Sequence, residues 1–161
     1  MKKILALSNI LSWVNLIIGS LLVLCALLAI MAFPPFAVMI SVVLVGCIVL
    51  HSYAALQLRK SVLNAAIPLN RQTPVGIRMM GYMALFFTIM LFSNAVYILQ
   101  NTQELLKQVQ FPKEMKKADL TGVIHGTSIF MLLFSISVIL NVVLNLRLLR
   151  WYMLAHNSES K

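Results

Sequence analysis

Residues 4–58 read ILALSNILSWVNLIIGSLLVLCALLAIMAFPPFAVMISVVLVGCIVLHSYAALQL and contain no Asp, Glu, Lys or Arg. A helix crosses the hydrocarbon core of a bilayer in about 20 apolar residues. The run is therefore long enough for two crossings, provided it contains a place to turn. Phe33-Pro34-Pro35-Phe36 supplies that place. Proline has no N–H to give to the carbonyl one turn back, and its ring clashes with that carbonyl. It closes one helix and suits the first turn of the next.

Further along, residues 79–103 and 120–146 are also free of charge. The pattern predicts an all-α membrane protein with spans near 9–32, 36–58, 79–101 and 121–147. Short links make sequential helices antiparallel neighbours, giving an up-down-up-down four-helix bundle in one transmembrane domain, 1–161. Between the last two spans, residues 102–120 predict a helical hairpin beyond the outer leaflet. Glu104-Leu105-Leu106-Lys107-Gln108-Val109 carries helix formers that extend span three to about Gln110. Pro112 suits the start of the next helix, and Lys113 to Asp119 leads into span four. The hairpin either binds a partner or closes the bundle. Residues 61–67 predict a short interfacial helix, and residues 156–161 a loose polar tail.

Composition supports the membrane reading. Of 161 residues, 61% are apolar and 11% charged. Soluble domains carry about 45–50% apolar and about 25% charged residues. Disordered chains lie further still from these values. The first apolar run far exceeds the core of a signal peptide, so it reads as a span. Leu44-Val45-Gly46-Cys47 matches a lipoprotein cleavage box but falls in mid-span, which makes it a coincidence of composition.

Thirteen basic residues against four acidic ones give a net charge of +9. In a soluble protein this would point to nucleic acid. Here position explains it better. With the N-terminus inside, Lys2, Lys3, Arg59, Lys60, Arg71, Arg78, Arg147, Arg150 and Lys161 are cytoplasmic, and Lys107, Lys113, Lys116 and Lys117 are external. That asymmetry is the positive-inside pattern and predicts both termini in the cytoplasm of a plasma (inner) membrane protein. Arg59, Lys60, Arg71, Arg78, Arg147 and Arg150 are then the expected contacts for anionic lipid headgroups. No nucleic-acid partner is implied.

Each span carries one stripe of small or polar residues at helical spacing. The stripes are Ser8, Ser12, Asn15, Gly19 and Ala26 in the first; Ala37, Ser41, His51, Ser52 and Ala55 in the second; Gly81, Ala84, Thr88 and Ala95 in the third; and Gly122, Gly126, Ser137, Asn141 and Asn145 in the fourth. Lipid tails are as apolar as Leu, so burying Leu drives no association in a bilayer. Small residues permit close approach, and polar ones hydrogen-bond between helices. The stripes should therefore face inward. Gly19, Gly81, Gly122 and Gly126 are the candidate points of close helix contact.

At a rise of about 1.5 Å per residue, Asn15, His51 and Asn141 fall roughly 9–12 Å from the cytoplasmic edge. Ser12, Ser52 and Asn145 lie slightly shallower, and Ser137 joins them on the polar face of the fourth span. These seven residues form the candidate buried polar cluster. It either holds the helices together or lines a small cavity open to the cytoplasm.

Catalytic patterns are missing. The spans hold no carboxylate of the kind coupled transporters use. His51 and His125 fall toward opposite ends of the bundle. No nucleophile elbow, zinc-protease motif or phosphate loop occurs. Cys25 and Cys47 read as small apolar residues, and the ten methionines as adaptable packing. No catalytic, metal or cofactor site is expected. The sequence points to a non-enzymatic accessory, scaffold or sensor subunit acting through a protein partner or a second copy of itself. The alternative is a module that binds or transports a lipid or small apolar molecule in an inner-leaflet polar cavity.

Overall fold

The computed structural model describes residues 2–29, 35–64, 69–70, 72–108 and 117–159. Among them the regular elements are all helices: α1 (Lys2–Ala29), α2 (Pro35–Leu63), α3 (Thr73–Gln100), α4 (Thr102–Gln108) and α5 (Lys117–Glu159). Helices α1, α2, α3 and α5 are long and apolar enough to cross a membrane. Pro35 opens α2, at the helix position where a missing N–H costs nothing. Phe33 and Pro34 lie outside the described residues, as do Arg71, Pro112, Lys113, Lys116 and Lys161.

The helices extend past the expected span boundaries. α1 begins at Lys2, α2 runs through Arg59 and Lys60 to Leu63, α3 begins at Thr73, and α5 continues beyond Arg147 and Arg150 to Glu159. Charge marks where a helix can leave hydrocarbon. It does not interrupt backbone hydrogen bonding, and Lys and Arg are good helix formers. Residues 61–63 are thus the last turn of α2, and residues 65–67 of the expected interfacial helix lie outside the described residues. Residues 156–159 belong to α5, where a loose tail was expected. The real start signal for α3 is local: the Asn70 side chain accepts from the Gln72 amide at 3.1 Å, the Asn70 carbonyl accepts from the Thr73 amide, and Pro74 follows.

Span three also stops sooner on the other side. α3 ends at Gln100, and a bend at Asn101 separates it from α4. The cause is side-chain competition for carbonyls. Asn101 Nδ2 donates to the Tyr97 carbonyl at 3.0 Å, and Thr102 Oγ1 donates to that of Ile98 at 2.7 Å. Such back-bonding bends helices.

The chain divides into two compact units. The first contains Met1–Phe87 and Ser137–Lys161. It combines α1, α2, residues 73–87 of α3 and residues 137–159 of α5. Its apolar core is Leu58, Ile77, Leu148 and Leu149, with Ile4, Val62, Trp151 and Tyr152 packed around it. Each of these core residues adjoins a basic one in sequence: Leu58 precedes Arg59, Ile77 precedes Arg78, Leu148 follows Arg147 and Leu149 precedes Arg150. The second unit, Thr88–Ile136, buries Thr88, Ala95, Thr102, Ser128, Phe134 and Ser135. Within it the rings of Phe130 and Phe134 stack at 6.2 Å.

Candidate functional site

The polar stripe of α1 meets that of α5 inside the first unit. Ser8 Oγ donates to Asn145 Oδ1 at 2.5 Å, and Ser12 Oγ donates to Asn141 Oδ1 at 2.9 Å. Ser137 Oγ donates to Asn15 Oδ1 at 2.8 Å, while Asn15 Nδ2 donates to the Ser137 carbonyl at 3.4 Å. The steps 8, 12, 15 on α1 are matched by 145, 141, 137 on α5. Both sets follow the spacing of three or four residues that keeps side chains on one helix face. The result is a seam of side-chain bonds.

The seam is branched. Asn145 Nδ2 donates to Asn141 Oδ1 at 2.8 Å, one turn apart on α5. Asn141 Oδ1 thus takes two donors, one for each lone pair. Asn141 Nδ2 reaches α2 and donates to Ser52 Oγ at 3.3 Å. Asn141 therefore ties three helices together. Ser8, Ser12, Asn15, Ser52, Asn141 and Asn145 are all buried.

The expected cluster is only partly one group. Ser12, Ser52, Asn141 and Asn145 share one network, to which Ser8 belongs as well. Asn15 and Ser137 form a separate pair further along the seam. His51 bonds elsewhere: its Nδ1 donates to the Ile77 carbonyl on α3 at 3.1 Å. A carbonyl only accepts, so Nδ1 carries the proton and Nε2 presents a lone pair. That Nε2 is buried with no hydrogen-bond partner among the described residues.

The candidate contact glycines separate into two kinds. A Cβ on Gly81 would lie 3.1 Å from His51 Cε1 and Nδ1 and 3.3 Å from Val142 Cγ1. One on Gly19 would lie 2.9 Å from Val49 Cγ2. Both glycines are buried where neighbouring helices approach closely. Gly122 and Gly126 are exposed, and a Cβ on either would meet nothing within 4 Å among the described residues. The expected close contact at this pair is therefore not made within the described part of the chain. Ser41 is likewise exposed, although its stripe was expected to face inward throughout. The side chain of Ala37 lies outside the described set.

The basic residues of the first unit differ in their surroundings. Arg59 Nη1 donates to Asn9 Oδ1 at 2.6 Å, and Lys60 is exposed. Arg78 is exposed with Nη2 3.2 Å from Met153 Sδ. The Arg147 guanidinium sits 5.3 Å from the centre of the Trp151 ring, in cation–π range. Arg150 is exposed.

Both cysteines are free thiols. Among the described residues no group of three or more His, Cys, Asp and Glu side chains is placed to hold a metal ion. Neither the Arg59–Asn9 bond nor the separate role of His51 follows from helical spacing. The only signal for the first was that Asn9 and Arg59 stand at comparable distances from the expected inner edge. No family model, curated protein or solved structure matches this chain.

Proposed function

We propose that this chain is a four-pass protein of the plasma (inner) membrane and acts as a non-enzymatic accessory, scaffold or sensor subunit through contacts with a protein partner or a second copy. In this reading the four long helices form an antiparallel up-down-up-down bundle with both termini cytoplasmic. Arg59, Lys60, Arg71, Arg78, Arg147 and Arg150 then face anionic headgroups. The asymmetry of the thirteen basic residues supports the orientation. The opposed order of seam partners on α1 and α5 supports the antiparallel arrangement.

One observation carries the functional reading. The polar groups of the seam use their donors and acceptors on each other. Groups engaged in this way hold helices in register and leave the outward surfaces to interact. The alternative of an inner-leaflet polar cavity has less support, because the same side chains would have to line it.

Two experiments test the proposal. Reporter domains fused after Gln110 and after Lys161 are expected to report opposite sides of the membrane. The same side for both rejects the topology. Purification in mild detergent followed by mass analysis is expected to retain a protein partner or a homo-oligomer in defined ratio. A bare monomer across several detergents rejects the accessory role.

A further inference from the structure

A groove of about 410 Å³ runs between α1 and α2 on the first unit. At one end stand Asn9, Gln57, Arg59 and Lys60; Trp13, Leu16 and Leu56 continue the lining. The order along the helices gives the groove a polarity. From Asn9, Trp13 is one turn away and Leu16 two turns, about 6 and about 10 Å at helical rise. From Lys60, Leu56 is likewise about 6 Å away. The charged end and the apolar remainder therefore succeed one another on both walls.

No Asp or Glu is among the lining residues. Arg59 keeps one neutral bond, to Asn9, while its Nε is buried with no partner among the described residues. Guanidinium is always protonated and offers five donors in a fork that fits phosphate. Gln57 Nε2 donates to the Tyr53 hydroxyl at 3.0 Å, closing the wall of α2 beside it. Trp13 and Tyr53 are about half exposed, so the groove opens sideways along its length.

We propose that this groove holds one anionic phospholipid, its phosphate on Arg59 and Lys60 and the upper part of an acyl chain against Trp13, Leu16 and Leu56. The proposal rests on the membrane reading above but not on the accessory role. Charge complementarity selects the occupant: two cations with no acidic residue among the described lining, continued by an apolar trough, match a molecule with an anionic head and a hydrocarbon tail. A diffuse surface potential would attract such lipids to every basic residue of the unit alike. The groove predicts a preference localised at Trp13.

The test uses the full chain with Trp151→Phe, which leaves Trp13 as the only tryptophan. It is reconstituted in vesicles mixing phosphatidylglycerol and phosphatidylcholine, with bromine on the acyl chains of one lipid at a time. Quenching of Trp13 then reports which lipid occupies the groove. Phosphatidylglycerol is expected to be favoured, by roughly fivefold for each basic side chain engaged. Arg59→Gln with Lys60→Gln should bring the preference close to one. Lys60→Gln alone, which leaves the Arg59–Asn9 bond in place, should give an intermediate value even if the double variant folds poorly. Arg78→Gln with Arg150→Gln removes the same charge outside the groove and should leave the preference unchanged. Excess soluble glycerol phosphate should not displace the lipid, because it lacks the chain. Equal quenching by both lipids in the starting protein overturns the proposal, as does an equal loss in the Arg78/Arg150 pair. Failure of the topology fusions would instead remove the membrane reading beneath it.

Discussion

Asn141→Leu is expected to lower the stability of the detergent-solubilised protein by about 2 kcal/mol, whereas Asn15→Leu should cost about 1 kcal/mol. Interhelical hydrogen bonds in membrane proteins average about 0.6 kcal/mol, with a maximum near 1.7. Asn141 takes part in three side-chain bonds, to Ser12, Asn145 and Ser52. Its loss strands the Ser12 hydroxyl and the Asn145 amide as donors without an acceptor. Ser12 has a way out, since a helical serine can turn to the carbonyl four residues back. Asn145 can turn its amide to the carbonyl four residues back, as Asn101 does, only by moving the Oδ1 that accepts from Ser8, so part of the penalty for an unpaired buried polar group remains. Asn15 exchanges bonds with Ser137 alone, and one of the two is long at 3.4 Å. Thermal unfolding followed by circular dichroism measures both variants. An unchanged midpoint for Asn141→Leu, or equal loss in the two, contradicts the seam as the element that holds α1, α2 and α5 together.

The second large effect is expected at Gly81. Gly81→Ala should destabilise by about 1 kcal/mol and Gly81→Leu by about 3 kcal/mol, the range seen when groups are forced into a packed interior. The His51 ring cannot easily move aside. It is held by the Nδ1 bond to the Ile77 carbonyl and is almost fully buried. Val142 closes the other side. Gly19→Ala should also destabilise, because the branched Val49 side chain it meets is stiff in a helix. Gly122→Ala and Gly126→Ala are the controls. No neighbour among the described residues stands in the way, and Ala is a better helix former by about 1 kcal/mol. Their melting points should match or exceed that of the starting protein. If the proposed self-association uses this face, the same two changes will weaken it without lowering the melting point. A drop in stability for Gly122→Ala equal to that for Gly81→Ala contradicts the division between the two kinds of glycine.

Much of the site was legible along each helix taken singly. Ser8, Ser12, Asn15 and Gly19 fall on one stripe because a helix turns about 100° per residue, and all four are buried. The stripe of Gly81, Ala84, Thr88 and Ala95 is buried too. Pairing between helices was less legible. Depth counted from the membrane edge set Asn15 level with Asn141, yet Asn141 meets Ser12 and Asn15 meets Ser137, about one turn away. An error of one turn lies within the uncertainty of a boundary drawn from charges, since helices do not end at charges. His51 shares the depth of the asparagines, but rotation about α2 sends it to α3 instead. Gly122 and Gly126 show the opposite failure. Their spacing is right for a close approach, but spacing on one helix says nothing about whether a second helix lies opposite.

The sequence alone determined that this chain is helical and that four of its helices can cross a membrane. Both follow from properties of contiguous residues: length without charge, proline at the first turn and a backbone that must satisfy its own hydrogen bonds in hydrocarbon. It also marked the buried small and polar stripe of α3 and most of that of α1, but not the exposed Ser41 of α2 or Gly122 and Gly126 of α5. Only tertiary structure decided which donor meets which acceptor. Asn141 rather than Asn15 joins three helices, Arg59 lies beside Asn9, and Gly81 receives an imidazole. Those outcomes depend on the rotation and shift of one helix against another, set by the packing of all of them together.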